Sequence, residues 1–141
     1  MEPILTESQD SSPRYPLLTD RVQSTFIDTI LIVVLMFAFS WLLEQFSEPP
    51  QWTRVAAFFL LFGIYEPICV TYGCTLGNYF KGIRVRQNDN RERRISFIRA
   101  FIRYILKLLL GWVSFLSVHL NSDRRAVHDF AAGSVMIFAR S

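Results

Sequence analysis

The chain has 141 residues, room for one domain, and 51% of them are hydrophobic, with a formal net charge of +3. A soluble domain this small buries only part of such an apolar load, and the apolar residues run in stretches too long for ordinary core helices. Two cysteines, Cys69 and Cys74, are too few for a disulfide framework and read as packing residues.

Residues 1–18 are acidic, carry Ser and Pro, and lack the basic start and apolar run of a signal peptide. They are expected to form a flexible tail ordered only near Leu17–Asp20. A membrane domain over 19–139 follows. Its first predicted span covers about residues 22–44, with Thr19 or Asp20 as N-cap and Asp28 as its sole internal full charge. At about 1.5 Å per residue such a helix exceeds a hydrocarbon core of about 30 Å. Pro49 and Pro50 end it, and Trp41 and Trp52 flank the turn as interfacial aromatics do.

The second predicted span, about 52–73, carries Glu66 followed by Pro67, which reads as a simple kink. A polar stretch comes next. Within it Ile83–Arg86 alternates apolar and basic residues as a short strand does, before turn residues and a run of arginines. The third segment, about 96–120, starts at Ser96 as N-cap and sets Arg99, Arg103 and Lys107 in one narrow cationic stripe. Gly111 interrupts it. A short capped helix ending at Gly133 and a strand-like Ser134–Phe138 close the chain, and the two short strands are expected to pair.

Basic residues accumulate after the second span (Lys81, Arg84, Arg86, Arg91, Arg93, Arg94), whereas the first loop has Glu44, Glu48 and only Arg54. The charge rule therefore places that stretch and the N-terminus in the cytoplasm, in a cytoplasmic (inner) membrane. Arg124, Arg125 and Arg140 ask for the same side, which a full third crossing forbids. The reading is thus an all-α integral membrane protein. It has two full transmembrane helices, a third bent, re-entrant or interfacial segment, and a small cytoplasmic two-stranded β element.

Charges inside spans are costly and mark functional candidates. Asp28, seven residues past Arg21, and Glu66, near the inner end of the second span, fall at similar depth. Arg103 or Lys107 reaches the same level, and Asp129 sits at the cytoplasmic mouth with Arg21. One reading is an ion-paired cluster that locks the helices. The other is a cation or proton site, because two acids in low dielectric do not both ionise cheaply. No catalytic Ser–His–Asp set, metal constellation, phosphate loop or cofactor motif has credible spacing, so neither enzyme nor cofactor is expected. The basic patch Arg84, Arg86, Arg91, Arg93 and Arg94 lies beside two spans and suits anionic lipid headgroups rather than nucleic acid.

Four pieces in order resemble the RDD family over roughly residues 19–139: Arg21 with Asp28; Thr75-Leu76-Gly77-Asn78; Gly82-Ile83-Arg84-Val85; and Arg125-Ala126-Val127-His128-Asp129 running to Ala132-Gly133-Ser134. Asn78 and Ser134 stand where Lys and Thr are common. The resemblance implies a small multi-spanning membrane domain. Cation/proton antiport has been proposed for some members, and a related domain serves as a membrane adaptor. Two functions follow as expectations. One is transport, which in so small a chain requires a homo-oligomer. The other is a non-catalytic adaptor docking a membrane protein partner or anionic lipid.

Overall fold

A computed structural model describes residues 14–46 and 48–139. The predicted tail falls mostly on residues 1–13, outside the described residues. Helix α1 spans Leu18–Glu44 and α2 Gln51–Tyr72, and both are long and apolar enough to cross a membrane. The fold is otherwise built from α3 (Leu76–Phe80), β1 (Ile83–Gln87), α4 (Phe97–Leu110), α5 (Val113–His119), α6 (Val127–Ala131) and β2 (Ser134–Phe138).

Helix α1 begins a turn earlier than its residue types suggest. Neither Thr19 nor Asp20 is the N-cap; that is Leu17, whose N–H donates to Asp20 Oδ2 at 3.2 Å. An acidic residue thus serves the helix start from inside the first turn. The helix is inside-out. Arg21, Ser24 and Ile32 are buried at three-to-four-residue spacing, with half-buried Asp28 between them, while Phe26, Val34, Phe37 and Trp41 are exposed. In lipid that polarity is stable, because the outer face meets hydrocarbon and the polar stripe meets protein.

Helix α2 departs from a simple proline kink. Its middle turn, Leu60–Ile64, is π-helical. Pro67 has no N–H to offer Gly63, four residues back, or Phe62, five back. The Tyr104 hydroxyl of α4 donates to the Phe62 carbonyl, so a group in the widened turn is satisfied from outside the helix.

The third segment is bent. Helices α4 and α5 meet at 105° across Gly111 and Trp112. Gly111 has φ of 52°, a left-handed conformation open to glycine at little cost. Ser96 is the N-cap of α4, though its side chain makes no capping bond.

Strands β1 and β2 pair antiparallel, Ile83 opposite Phe138 and Gln87 opposite Ser134. Two strands alone are marginal. These bury Ile83, Val85 and Met136 against Val70, Ile95 and Ala100, which ties the sheet to the ends of α2 and α4. Both outer edges are covered. Val85 N–H reaches the Gly73 carbonyl and Gln87 N–H the Arg93 carbonyl, while Phe138 N–H bonds the Arg14 carbonyl at 3.0 Å. Arg14 and Phe138 therefore lie together, beside the start of α1.

Candidate functional site

At the sheet end of the helices, side chains from α1, α2, α4 and α6 converge on a buried charge network. Asp129, on the first turn of α6, is fully buried. Its Oδ2 accepts from Arg21 Nη1 at 2.7 Å, and its Oδ1 accepts from Arg103 Nε at 2.8 Å. It also takes the Ala126 N–H at 3.2 Å, so it caps its own helix as well as bridging two others. Arg103 continues to Glu66 Oε1 at 3.2 Å, and Lys107 Nζ closes on Glu66 Oε2 at 2.8 Å. Of the cationic stripe, Arg103 and Lys107 turn inward, whereas Arg99 is exposed.

Asp28 does not face Arg103 or Lys107. Its partners are the Tyr65 hydroxyl (3.0 Å), the Thr75 hydroxyl (2.6 Å) and the Gly77 N–H (2.8 Å). The cations nearest in depth are taken by Glu66 and Asp129, while α3 presents its amino end directly to Asp28. Every group on Asp28 is a donor. Tyr65 already accepts from Leu76 N–H, and Thr75 already accepts from Asn78 N–H, so each hydroxyl proton is directed at the carboxylate. Gly77 makes the approach possible. A Cβ there would lie 2.0 Å from the Ser24 carbonyl and 2.8 Å from Asp28 Oδ2.

The network surrounds a small polar cavity lined in part by Arg21, Asp28, Glu66, Arg103, Lys107 and His128. Its volume, about 10 Å³, is room for the centre of about one water. The residues singled out by sequence thus come together, but not as expected: two carboxylates (Glu66, Asp129) meet three cations (Arg21, Arg103, Lys107), and the third, Asp28, is satisfied by neutral donors instead.

Burial by itself would raise the Asp129 pKa. The charges of Arg103 and Arg21 outweigh it and hold the carboxyl far below the usual range. Burial pushes His128 down from 6.5 to about 4, and the attraction of Asp129 recovers only part of this. The neutral ring meets the Ser114 hydroxyl through Nδ1. Its Nε2, 3.7 Å from Asp129 Oδ1, and Arg21 Nε are buried without a hydrogen-bond partner among the described residues.

Sequence reasoning missed several members. Tyr65, Thr75 and Gly77 are neutral; the Thr-x-Gly spacing pointed to the last two, and nothing pointed to Tyr65. Ser114 gave no sign. The Arg124 carbonyl, which accepts from Arg21 Nη2, is a backbone group presented by a residue with φ of 49°. The expected basic patch divides in two. Arg84 donates to Cys74 Sγ at 2.6 Å and lies over Tyr79, and Arg91 lies over Tyr15. Arg86 is half-buried, and only Arg93 and Arg94 are exposed. Among the described residues no group of three or more His, Cys, Asp or Glu is placed to hold a metal ion.

The RDD family model matches residues 15–133. The chain is 24% identical over 127 residues to the uncharacterized protein YckC of Bacillus subtilis (strain 168), covering 84% of this chain and 82% of that protein. It is 32% identical over 73 residues to an uncharacterized protein of Haemophilus influenzae, covering 48% of this chain and 46% of that one. No solved structure matches the chain.

Proposed function

The chain belongs to the RDD family, and we propose that it is a non-catalytic membrane adaptor whose buried ion-pair network holds a basic cap rigidly against its spans. The observation that carries this reading is the state of the acids. Asp28 is enclosed by donors, and Glu66 and Asp129 are already paired with cations. A cation site needs acceptors with spare lone pairs and room for the ion. Here each of the three carboxylates already accepts from protein donors, and the cavity has room for about one water rather than for an ion with a hydration shell. The exposed cations of the cap, Arg93, Arg94 and Arg99, are left for anionic headgroups or an acidic partner.

Orientation follows from charge. The cap carries the basic excess, so it faces the cytoplasm. The Arg14–Phe138 bond and the Arg124 carbonyl on Arg21 favour a third segment that returns to the side where it began.

A second reading, a cation or proton site at Asp28 and Glu66, is favoured by one observation: both acids line one polar cavity between the spans. Proteoliposomes with an internal pH dye decide between the two. Under Na⁺ or K⁺ gradients the adaptor reading expects no ion-dependent proton flux, in wild type or in Asp28→Asn. Flux that Asp28→Asn abolishes overturns it and establishes the site.

A further inference from the structure

A second pocket, of about 170 Å³, opens where α1 begins and α5 ends. It is lined by Leu17, Leu18, Val118, His119, Asn121 and Arg124. At that size it lies below the range of about 300–1,000 Å³ that holds a drug-sized molecule. It suits a headgroup.

Its polar wall is fixed in place. The Asn121 amide donates to the Ser117 and Arg125 carbonyls at 2.8 and 2.9 Å, and its Oδ1 accepts from Arg125 N–H at 2.8 Å. Those bonds occupy Asn121 and pin the loop in which Arg124 takes its left-handed conformation. Among the described residues the Arg124 guanidinium, with five donors, makes one long bond, 3.5 Å, to the Tyr15 carbonyl. His119 is exposed. The neighbouring acid, Asp123, lies against Tyr15 and does not line the pocket. The rest of the lining is apolar, Leu17, Leu18 and Val118, and Leu17 is exposed. A cationic floor with an apolar rim, at the level where a span enters the bilayer, complements a phosphate attached to acyl chains better than a free phosphate.

We propose that this pocket seats the phosphate headgroup of an anionic phospholipid, with Arg124 and His119 as donors and the leucines against the glycerol and acyl chains. The inference rests on the membrane placement given under the proposed function, but not on the adaptor role.

The test is native mass spectrometry of the full chain in detergent, with phosphatidylglycerol, phosphatidylcholine or inorganic phosphate added. Phosphatidylglycerol should be retained in preference to phosphatidylcholine. The H119A/R124Q variant should weaken that retention at least about tenfold, the effect expected from losing even one charge-assisted bond. R124Q keeps the Arg124 carbonyl for Arg21, and H119A alone alters an exposed side chain, so an unchanged thermal midpoint serves as the fold control. R93Q/R94Q/R99Q removes the separate headgroup contacts of the outer basic face, and the preference for phosphatidylglycerol that H119A/R124Q abolishes should persist in it. Equal retention of both lipids, or no effect of H119A/R124Q, overturns the site. Loss confined to R93Q/R94Q/R99Q also overturns it and places the lipid on the outer basic face, which leaves the adaptor reading standing. Complete displacement by inorganic phosphate overturns the lipid as occupant.

Discussion

At the scale of single residues, Asp129 is where the network is most exposed to loss. It is the shared acceptor of two buried guanidiniums, and breaking a buried pair leaves an uncompensated charge, at about 3–5 kcal/mol. Asp129→Asn is therefore expected to lower the thermal midpoint sharply in detergent, or to prevent recovery of folded protein. Lys107→Gln should cost less, about 1 kcal/mol, because Lys107 is partly exposed and Glu66 keeps Arg103. Equal losses in the two variants would show that Asp129 is not the hub. His128 gives a pH signature. Its folded pKa of about 4 lies below its ordinary 6.5, so the unfolded chain takes up the proton first on acidification. The stability held by the neutral ring is complete above about pH 6.5 and is lost as pH falls toward 4. The Asp129 contribution persists through that window, because its carboxyl titrates far lower. The unfolding free energy should fall by up to about 3 kcal/mol between pH 6.5 and 4 in wild type, lowering the midpoint, and much less in His128→Phe. A midpoint flat over that range would disprove a buried neutral His128.

At the scale of elements, Gly77 and Gly63 make opposite predictions from one residue type. Gly77→Ala drives a methyl into the Ser24 carbonyl, which is backbone and cannot swing away, so α3 must lift from α1 and release Asp28. A loss of at least about 1–3 kcal/mol is expected, as in overpacked cores. A Cβ on Gly63 meets nothing within 4 Å, so Gly63→Ala should leave the thermal midpoint unchanged or raised. If Gly77→Ala is silent, the close approach of α3 to α1 is wrong. This contrast also marks the limit of the sequence as a guide. The spans, the two strands and the break at Gly111 were legible, because long apolar runs, period-two alternation and a glycine after a helical run are local signals. The mate of Asp28 was not. A carboxylate in a span suggests a cation, since charge is what a sequence displays. Here the partners are two hydroxyls and a backbone N–H, whose convergence depends on how α3 turns after Gly73. The π-helical turn was hidden for a related reason: Pro67 predicts a missing donor, but only the packed α4 shows Tyr104 supplying one.

At the scale of the whole molecule, parity decides topology. Helices α1 and α2 run out and back, so the chain after α2 is on the side where α1 started. The remaining question is whether α4 and α5 cross. At 105° to each other neither piece crosses alone, since 14 residues of α4 rise about 21 Å against a core of about 30 Å, and a crossing would take both as a broken span. The segment also starts and finishes against the same structure. Ala100 packs beside the sheet residues Val85 and Met136, and the loop after α5 delivers the Arg124 carbonyl to Arg21 on the first turns of α1. Arg14 and Phe138, near the two ends of the described chain, share a hydrogen bond. Pulling the C-terminal strand to the far side would break that bond and the β1–β2 ladder. It would also leave Arg21 and Arg103 buried without Asp129, a cost far above the preference of a few arginines for one face. Both termini are therefore expected on the cytoplasmic side. In sealed right-side-out vesicles, tags at either end should resist external protease, while a cysteine placed at Glu48, in the α1–α2 loop, should react with an impermeant maleimide. A C-terminal tag cleaved only from outside would establish a third full crossing, and the charge network could not then exist in the form described.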